Sequence, residues 1–250
     1  MDARTQKSCR TVAIVLAGGA GKRMQSTQKK QFLQIGGKEL LYYSLKTMED
    51  SFIDDIVVVT APEDREHVQK EIVEAYGFAK VKAYADGGRE RYHSVCNGLV
   101  AAETLKPDYV FIHDCARPFV TEEILERALE SVQKLGACVV GMPVKDTIKI
   151  ADREGNIDST PDRNLVWQIQ TPQVFSYKKI ADAYERAIRE EDALLEKGIH
   201  ITDDAMVLEL YSKDKIGLVE GSYDNFKVTT PEDITLAELY LERMNKSGNN

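Results

Sequence analysis

The chain has few cysteines and histidines. It carries four cysteines (Cys9, Cys96, Cys115, Cys138) and four histidines (His67, His93, His113, His200) in 250 residues. No cysteine pair has CxxC spacing, which argues against a zinc knuckle or redox motif, and the histidines lack metal-ligand spacing. Packing or surface roles are expected for all eight. A basic excess is also missing. The net charge is −8, so a nucleic-acid partner is not expected, although a local basic cluster can still serve a small anionic substrate. No apolar run approaches the roughly 18 residues of a membrane span. The N-terminal segment lacks a signal-peptide layout, because its apolar stretch leads into glycines. A cytoplasmic protein without a membrane partner is the expectation.

The composition is that of a globular chain, with 43% hydrophobic and 30% charged residues. Its length suits one large α/β domain or two small ones. The apolar run Val12–Ala17 reads as a strand buried on both faces. Similar runs follow at Ile56–Thr60, Val81–Tyr84, Tyr109–His113 and Ala137–Pro143. Between them the apolar spacing is helical. In Glu122–Leu135 the apolar positions are Ile124, Leu125, Ala128, Leu129, Val132 and Leu135, one face of a helix with Thr121 as N-cap. This alternation predicts an α/β fold, a mostly parallel twisted sheet with helices on both faces. Residues 1–250 read as one domain. Beyond Pro143 the pattern changes. A strand at Thr147–Ala151, a turn at Asp152–Asn156 and extended chain to Ile169 predict a projecting β-arm within 144–172. A two-stranded arm is marginal in water alone, so a second subunit is the expected partner. Helices are expected again at Lys178–Lys197, Asp203–Tyr211 and Pro231–Met244, the last capped by Thr230.

The first strand runs into Leu16-Ala17-Gly18-Gly19-Ala20-Gly21-Lys22-Arg23-Met24. Glycines let backbone N–H groups approach phosphate oxygens, and Lys22, Arg23, Lys29 and Lys30 add positive charge nearby. A Walker loop is excluded, since Leu16 stands where its first glycine belongs and Arg23 follows Gly21-Lys22. A dinucleotide fingerprint is excluded because Met24 replaces its third glycine. Taken alone the loop indicates phosphate binding. Asp114 ends the strand Tyr109–His113, at the strand end where open α/β sheets bind ligands.

LAGGAGKRM followed by KKQF resembles the signature of nucleotidyltransferases. DGGRERYHSV (86–95), HDCARPF (113–119), PVKDTIK (143–149), DRNLVWQIQTPQVF (162–175), TDD (202–204) and DNFKVTTPED (224–233) follow in order. Together they resemble the 2-C-methyl-D-erythritol 4-phosphate cytidylyltransferase family over about residues 11–243. The resemblance implies a homodimeric enzyme that uses Mg²⁺ or another divalent cation. Its reaction is attack of a polyol phosphate on the α-phosphorus of CTP, giving a CDP-alcohol and pyrophosphate. Such chemistry needs alignment and charge stabilisation more than proton transfer, which suits motifs rich in Lys, Arg and Gly.

The resemblance also implies roles. Arg23 and the Gly19–Gly21 backbone would hold the β- and γ-phosphates, with Leu16 and Ala20 in the same loop. Lys30 and Lys227 would flank the α-phosphate. Ala17, Gly18, Gly88 and Ser94 would line the cytosine and ribose pocket. Asp114 would help place the ribose, the metal–triphosphate or the acceptor, with Asp224 a second candidate ligand for the metal. Arg117, Thr147, Arg163 and Thr171 would bind the acceptor, those of the arm from the neighbouring subunit. A ribitol-phosphate cytidylyltransferase and a non-catalytic nucleotide-sensing module are the alternatives. The segment around Trp167 favours methylerythritol phosphate over ribitol phosphate, and the retained Lys30 and Lys227 favour turnover over sensing. Three positions depart from the family pattern: Lys29 where proline is usual, Cys115 where alanine is common, and Arg89 where an acidic residue is common.

Overall fold

A computed structural model of the chain describes residues 9–19 and 29–247. Strand β1 is Thr11–Leu16, and its first five residues are buried. After a 3-10 turn at Lys30–Phe32 comes a small hairpin of β2, Gln34–Ile35, and β3, Lys38–Glu39. Helix α1 (Leu40–Asp50) leads to β4 (Asp55–Thr60), whose DIVVVT sequence is buried throughout. Helix α2 (Arg65–His67) widens into a π-helical stretch, Val68–Glu74, before β5 (Val81–Asp86). Then follow α3 (Arg91–Glu103), β6 (Tyr109–Asp114), α4 (Glu122–Leu135) and β7 (Ala137–Pro143). The arm contains β8 (Ile150–Ala151) and β9 (Ile157–Ser159). Strand β10 (Trp167–Ser176), helices α5 (Tyr177–Arg189), α6 (Glu191–Glu196) and α7 (Asp204–Tyr211), strand β11 (Gly217–Glu220) and helix α8 (Pro231–Ser247) complete the chain.

The main sheet has seven strands in the order β11-β7-β10-β6-β1-β4-β5. Strand β10 runs antiparallel to both neighbours, and the other pairings are parallel. The apolar runs form strands because they are covered twice. One face of β1 and β4 (Ala13, Val15, Ile56, Val58) packs on α1, the π-helical stretch and α4. The other face (Ile14, Val57, Val59) packs on α3, α5 and α7. Helix α3 approaches closely at Gly98, where a Cβ would stand 2.5 Å from Ile14 and 2.9 Å from Val59. A third cluster around Ile35, Leu40, Phe119, Val228 and Ala237 anchors α8 beside the sheet.

Helix α4 has the expected bounds, and Ile124, Leu125, Ala128 and Val132 are buried in it. Leu135, expected on that face, is exposed because the helix ends there; Gly136 takes a left-handed φ of 83° and turns the chain into β7. Thr121 occupies the N-cap position, but its hydroxyl makes no cap bond. The helix expected over Lys178–Lys197 is two helices, broken at Glu190 (φ −102°, ψ 11°). Strand β11 and the β2–β3 hairpin are too short for periodicity to reveal.

The arm is present. Its strand is shorter than expected, Ile150–Ala151 instead of Thr147–Ala151. The Asp152–Asn156 turn is held by the Asn156 N–H donating to Asp152 Oδ1 (2.8 Å). The neck closes where the Val144 N–H meets the Val166 carbonyl. Trp167–Ile169 then re-enters the main sheet opposite Pro143–Gly141. Ile150, Ile157 and Leu165 are exposed.

Candidate active site

Parallel registration brings the strand ends together. Leu16 sits opposite Val59 on one side and Asp114 on the other. Strands β4 and β5 end as the pair Thr60 and Asp86. The chain leaves β1 with one further rung, the Ala17 N–H donating to Val59 O at 2.7 Å. Ala17 is buried, so it supports the pocket from below. A Cβ on Gly18 would lie 3.5 Å from Gly87 Cα, an ordinary contact, and a Cβ on Gly19 would meet no atom within 4 Å. Gly19 therefore offers open backbone to the cleft. Ala20, Gly21 and Arg23, expected to bind phosphate, lie outside the described residues.

These ends open into a cleft of about 360 Å³, within the usual range for a small-molecule site. Of the residues singled out in the sequence, Leu16, Gly18, Gly19, Lys30, Gly88, Ser94, Asp114 and Lys227 all line it. Glycine is required at position 88, because a Cβ there would lie 2.2 Å from the Cβ of His93. The Gly88 N–H donates to Ser94 Oγ at 2.9 Å, which ties the loop to the first turn of α3.

A smaller cavity of about 150 Å³ adjoins it, lined by Arg117, Thr171, Gln173 and Asp203 among others. Arg91, Asp114 and Lys227 line both cavities and form the wall between them. Asp114 accepts from Arg91 Nε (3.0 Å) at one oxygen and from Lys227 Nζ (2.6 Å) at the other. Burial opposes ionisation of Asp114, but the two cations outweigh it and hold its carboxyl well below the usual carboxylate range. Burial likewise opposes the charge on Arg91, yet Asp204 and Asp114 raise its pKa well above the ordinary value.

Behind Asp114, Thr171 Oγ1 accepts the Asp114 N–H at 3.2 Å and lies 3.0 Å from His113 Nδ1. His113 Nε2 is 3.1 Å from the Arg117 carbonyl. A neutral ring protonated at Nε2 completes both bonds. Burial lowers the His113 pKa to about 4. The Thr171 hydroxyl thus braces Asp114, and Thr171 also lines the smaller cavity. Arg117 donates to the carbonyls of Asn225 (2.9 Å) and Ile169 (3.3 Å). Its Nε is buried with no hydrogen-bond partner among the described residues. Burial lowers its pKa.

Other expected residues stand apart. Thr147 and Arg163 are exposed on the arm and line neither cavity; Arg163 Nη1 donates to the Lys145 carbonyl at 3.2 Å. Asp224 is not at the cleft. Its carboxylate faces Arg243 on α8 at 3.2 Å, which corrects its expected place as a metal ligand. Among the described residues no group of three or more His, Cys, Asp or Glu side chains could hold a metal. A divalent cation that arrives with a triphosphate needs only one or two carboxylates. The ionised Asp114 fits that need once its oxygens exchange a cationic partner for the metal.

The three departures have structural accounts. Lys29 keeps φ at −63°, the value a proline would impose. Its ammonium is clasped by Glu63 (2.8 Å) and Asp64 (2.7 Å). Cys115 lines the cleft, but burial raises its thiol pKa to about 12, so it is inert. Arg89 lies at the rim and pairs with Glu191 at 2.6 Å. Sequence reasoning missed Arg91 and Asp204. Both lie within the motifs quoted above, but a partnership across 113 residues leaves no local signal.

A sequence profile described as 2-C-methyl-D-erythritol 4-phosphate cytidylyltransferase matches residues 11–243. A protein of that name from Lachnoclostridium phytofermentans is 45% identical over 232 residues, 93% of this chain and 96% of the relative. The namesake from Lachnospira eligens is 47% identical over 233 residues, covering 92% and 98%. The crystal structure of a 4-diphosphocytidyl-2C-methyl-D-erythritol synthase from Anaerococcus prevotii superposes with a TM-score of 0.81 at 33% identity, over 94% of this chain and 96% of that one.

Proposed function

The chain belongs to the 2-C-methyl-D-erythritol 4-phosphate cytidylyltransferase family, and from that premise we propose how its site works. It transfers the cytidylyl group of CTP to 2-C-methyl-D-erythritol 4-phosphate, releasing pyrophosphate, a step of isoprenoid biosynthesis. The observation that carries this reading is the wall of Arg91, Asp114 and Lys227 between a nucleotide-sized cleft and a smaller cavity containing Arg117. CTP takes the larger space, with its base near Gly88 and Ser94 and its triphosphate along Gly18 and Gly19. The acceptor takes the smaller one.

Two polyanions must meet at the α-phosphorus. Lys30 from the cleft side and Lys227 from the shared wall offset that repulsion, and they stabilise the added negative charge as the new bond forms. Lys227 rests on Asp114, so the incoming phosphate competes with a carboxylate for it. Asp114 would then hold a divalent cation together with triphosphate oxygens, and the cation would neutralise the departing pyrophosphate. The exposed arm, with Ile150, Ile157 and Leu165 bare, packs on a second copy in a homodimer and brings Thr147 and Arg163 to that copy's acceptor. Among the described residues no helix is long and apolar enough to cross a membrane.

Pyrophosphate release from CTP, measured with each polyol phosphate in turn, tests the reading. Turnover with methylerythritol phosphate is expected. Turnover with ribitol phosphate alone would redirect the acceptor assignment, and CTP binding without release for any acceptor would indicate a sensing module.

A further inference from the structure

Arg91 opens α3 and lies at the centre of a chain of alternating charges. Its Nη1 and Nη2 donate to the two oxygens of Asp204 at 2.8 and 2.9 Å. Asp204 opens α7 and is fully buried. The hydroxyl of Tyr184, on α5 and 1% exposed, donates to Asp204 Oδ1 at 2.6 Å. Asp114 receives one bond from Arg91, from Nε to Oδ1 at 3.0 Å. Its second oxygen accepts from Lys227 at 2.6 Å.

A guanidinium prefers to meet a carboxylate with two parallel N–H bonds. Asp204 satisfies that preference on the far side of the fork. Without it, Arg91 could turn two N–H groups onto Asp114 and compete with Lys227 for its oxygens. We propose that Asp204 and Tyr184 are positioning residues, which hold the Arg91 fork so that one Asp114 oxygen stays open to seat Lys227 between the two cavities. Tyr184 suits this part because burial, followed by the charge of Asp204, raises its pKa well above the ordinary value and keeps it a donor. Neither residue lines the larger cleft. Their effect must therefore pass through Arg91 and Asp114.

The proposal rests on Lys227 as the cation that meets the reacting phosphates, and the test separates the two ideas. Tyr184→Phe keeps the buried ring and removes the hydroxyl. It should lower kcat for pyrophosphate release about tenfold, the worth of one hydrogen bond to a charged group. KM for CTP and the calorimetric Kd should stay within about twofold. Asp204→Asn, the second variant, should show the same split more strongly. Both are measured at a temperature where circular dichroism shows them folded. In a Lys227→Ala background the Tyr184→Phe loss should nearly vanish, because the group it positions is gone. A loss of equal size in both backgrounds, or a loss shared between kcat and CTP affinity, means a structural role and overturns the proposal. An unchanged kcat for both variants overturns it as well. If Lys227→Ala itself leaves kcat unchanged, the reading of Lys227 falls and takes the proposal with it.

Discussion

One added carbon at Gly88 would collide with His93 at the rim of the cleft. The collision involves the backbone-proximal part of His93 on α3, so no flexible side-chain end can swing clear. Overpacking of this kind costs about 1–3 kcal/mol. Gly88→Ala is therefore expected to weaken calorimetric CTP binding by about tenfold or more, while circular dichroism shows the sheet intact. His113 makes a second prediction at this scale. The folded chain keeps it neutral down to about pH 4, while an unfolded chain takes up the proton near 6.5. Its contribution is complete above about pH 6.5 and is lost as pH falls toward 4, a decline of about 3 kcal/mol. Urea unfolding at stepped pH should show this decline, and His113→Asn should lack that part of it.

Elements explain why these residues meet. Each parallel strand ends on the same edge of the sheet, so loops far apart in sequence converge there. Strand β10 runs the other way and brings Thr171 beneath Asp114. The N-termini of α3 and α7 face one another through Arg91 and Asp204. The arm is the exception, since its apolar Ile157 and Leu165 are left exposed among the described residues. If two copies pair through the arm, as proposed, Ile157→Lys together with Leu165→Lys should shift sedimentation from dimer toward monomer with little change in the thermal midpoint, because exposed positions contribute little to one chain's stability. A profile that these substitutions leave unchanged would overturn the arm contact.

At the scale of the whole molecule, the chain supplies both cavities but leaves Thr147 and Arg163 outside them. Two copies exchanging arms would complete two sites. Lys30→Ala and Arg163→Ala chains, each nearly inactive, are expected to recover about a quarter of wild-type activity on mixing. Half of randomly re-paired dimers are mixed, and each mixed dimer has one intact site. No recovery would mean that the arm serves its own chain.

Local pattern was enough for the layers of this protein. Val12–Ala17 and Ile56–Val59 are apolar on every residue because both faces of the sheet are covered, and Glu122–Leu135 carries its buried stripe at helical spacing. The glycine loop and the ordered motifs were likewise legible, since phosphate binding needs its residue types close together in the chain. Other features depend on contacts between distant segments. Asp224 was misplaced because motif order carries no direction for a side chain, and only the packing of α8 turns it toward Arg243. That the Thr171 hydroxyl meets the Asp114 N–H follows only from where β10 lies in the sheet. The link from Tyr184 through Asp204, Arg91 and Asp114 to Lys227 joins five separate elements or loops. Periodicity reports which face of an element is buried, and a charge finds its partner only when the faces come together.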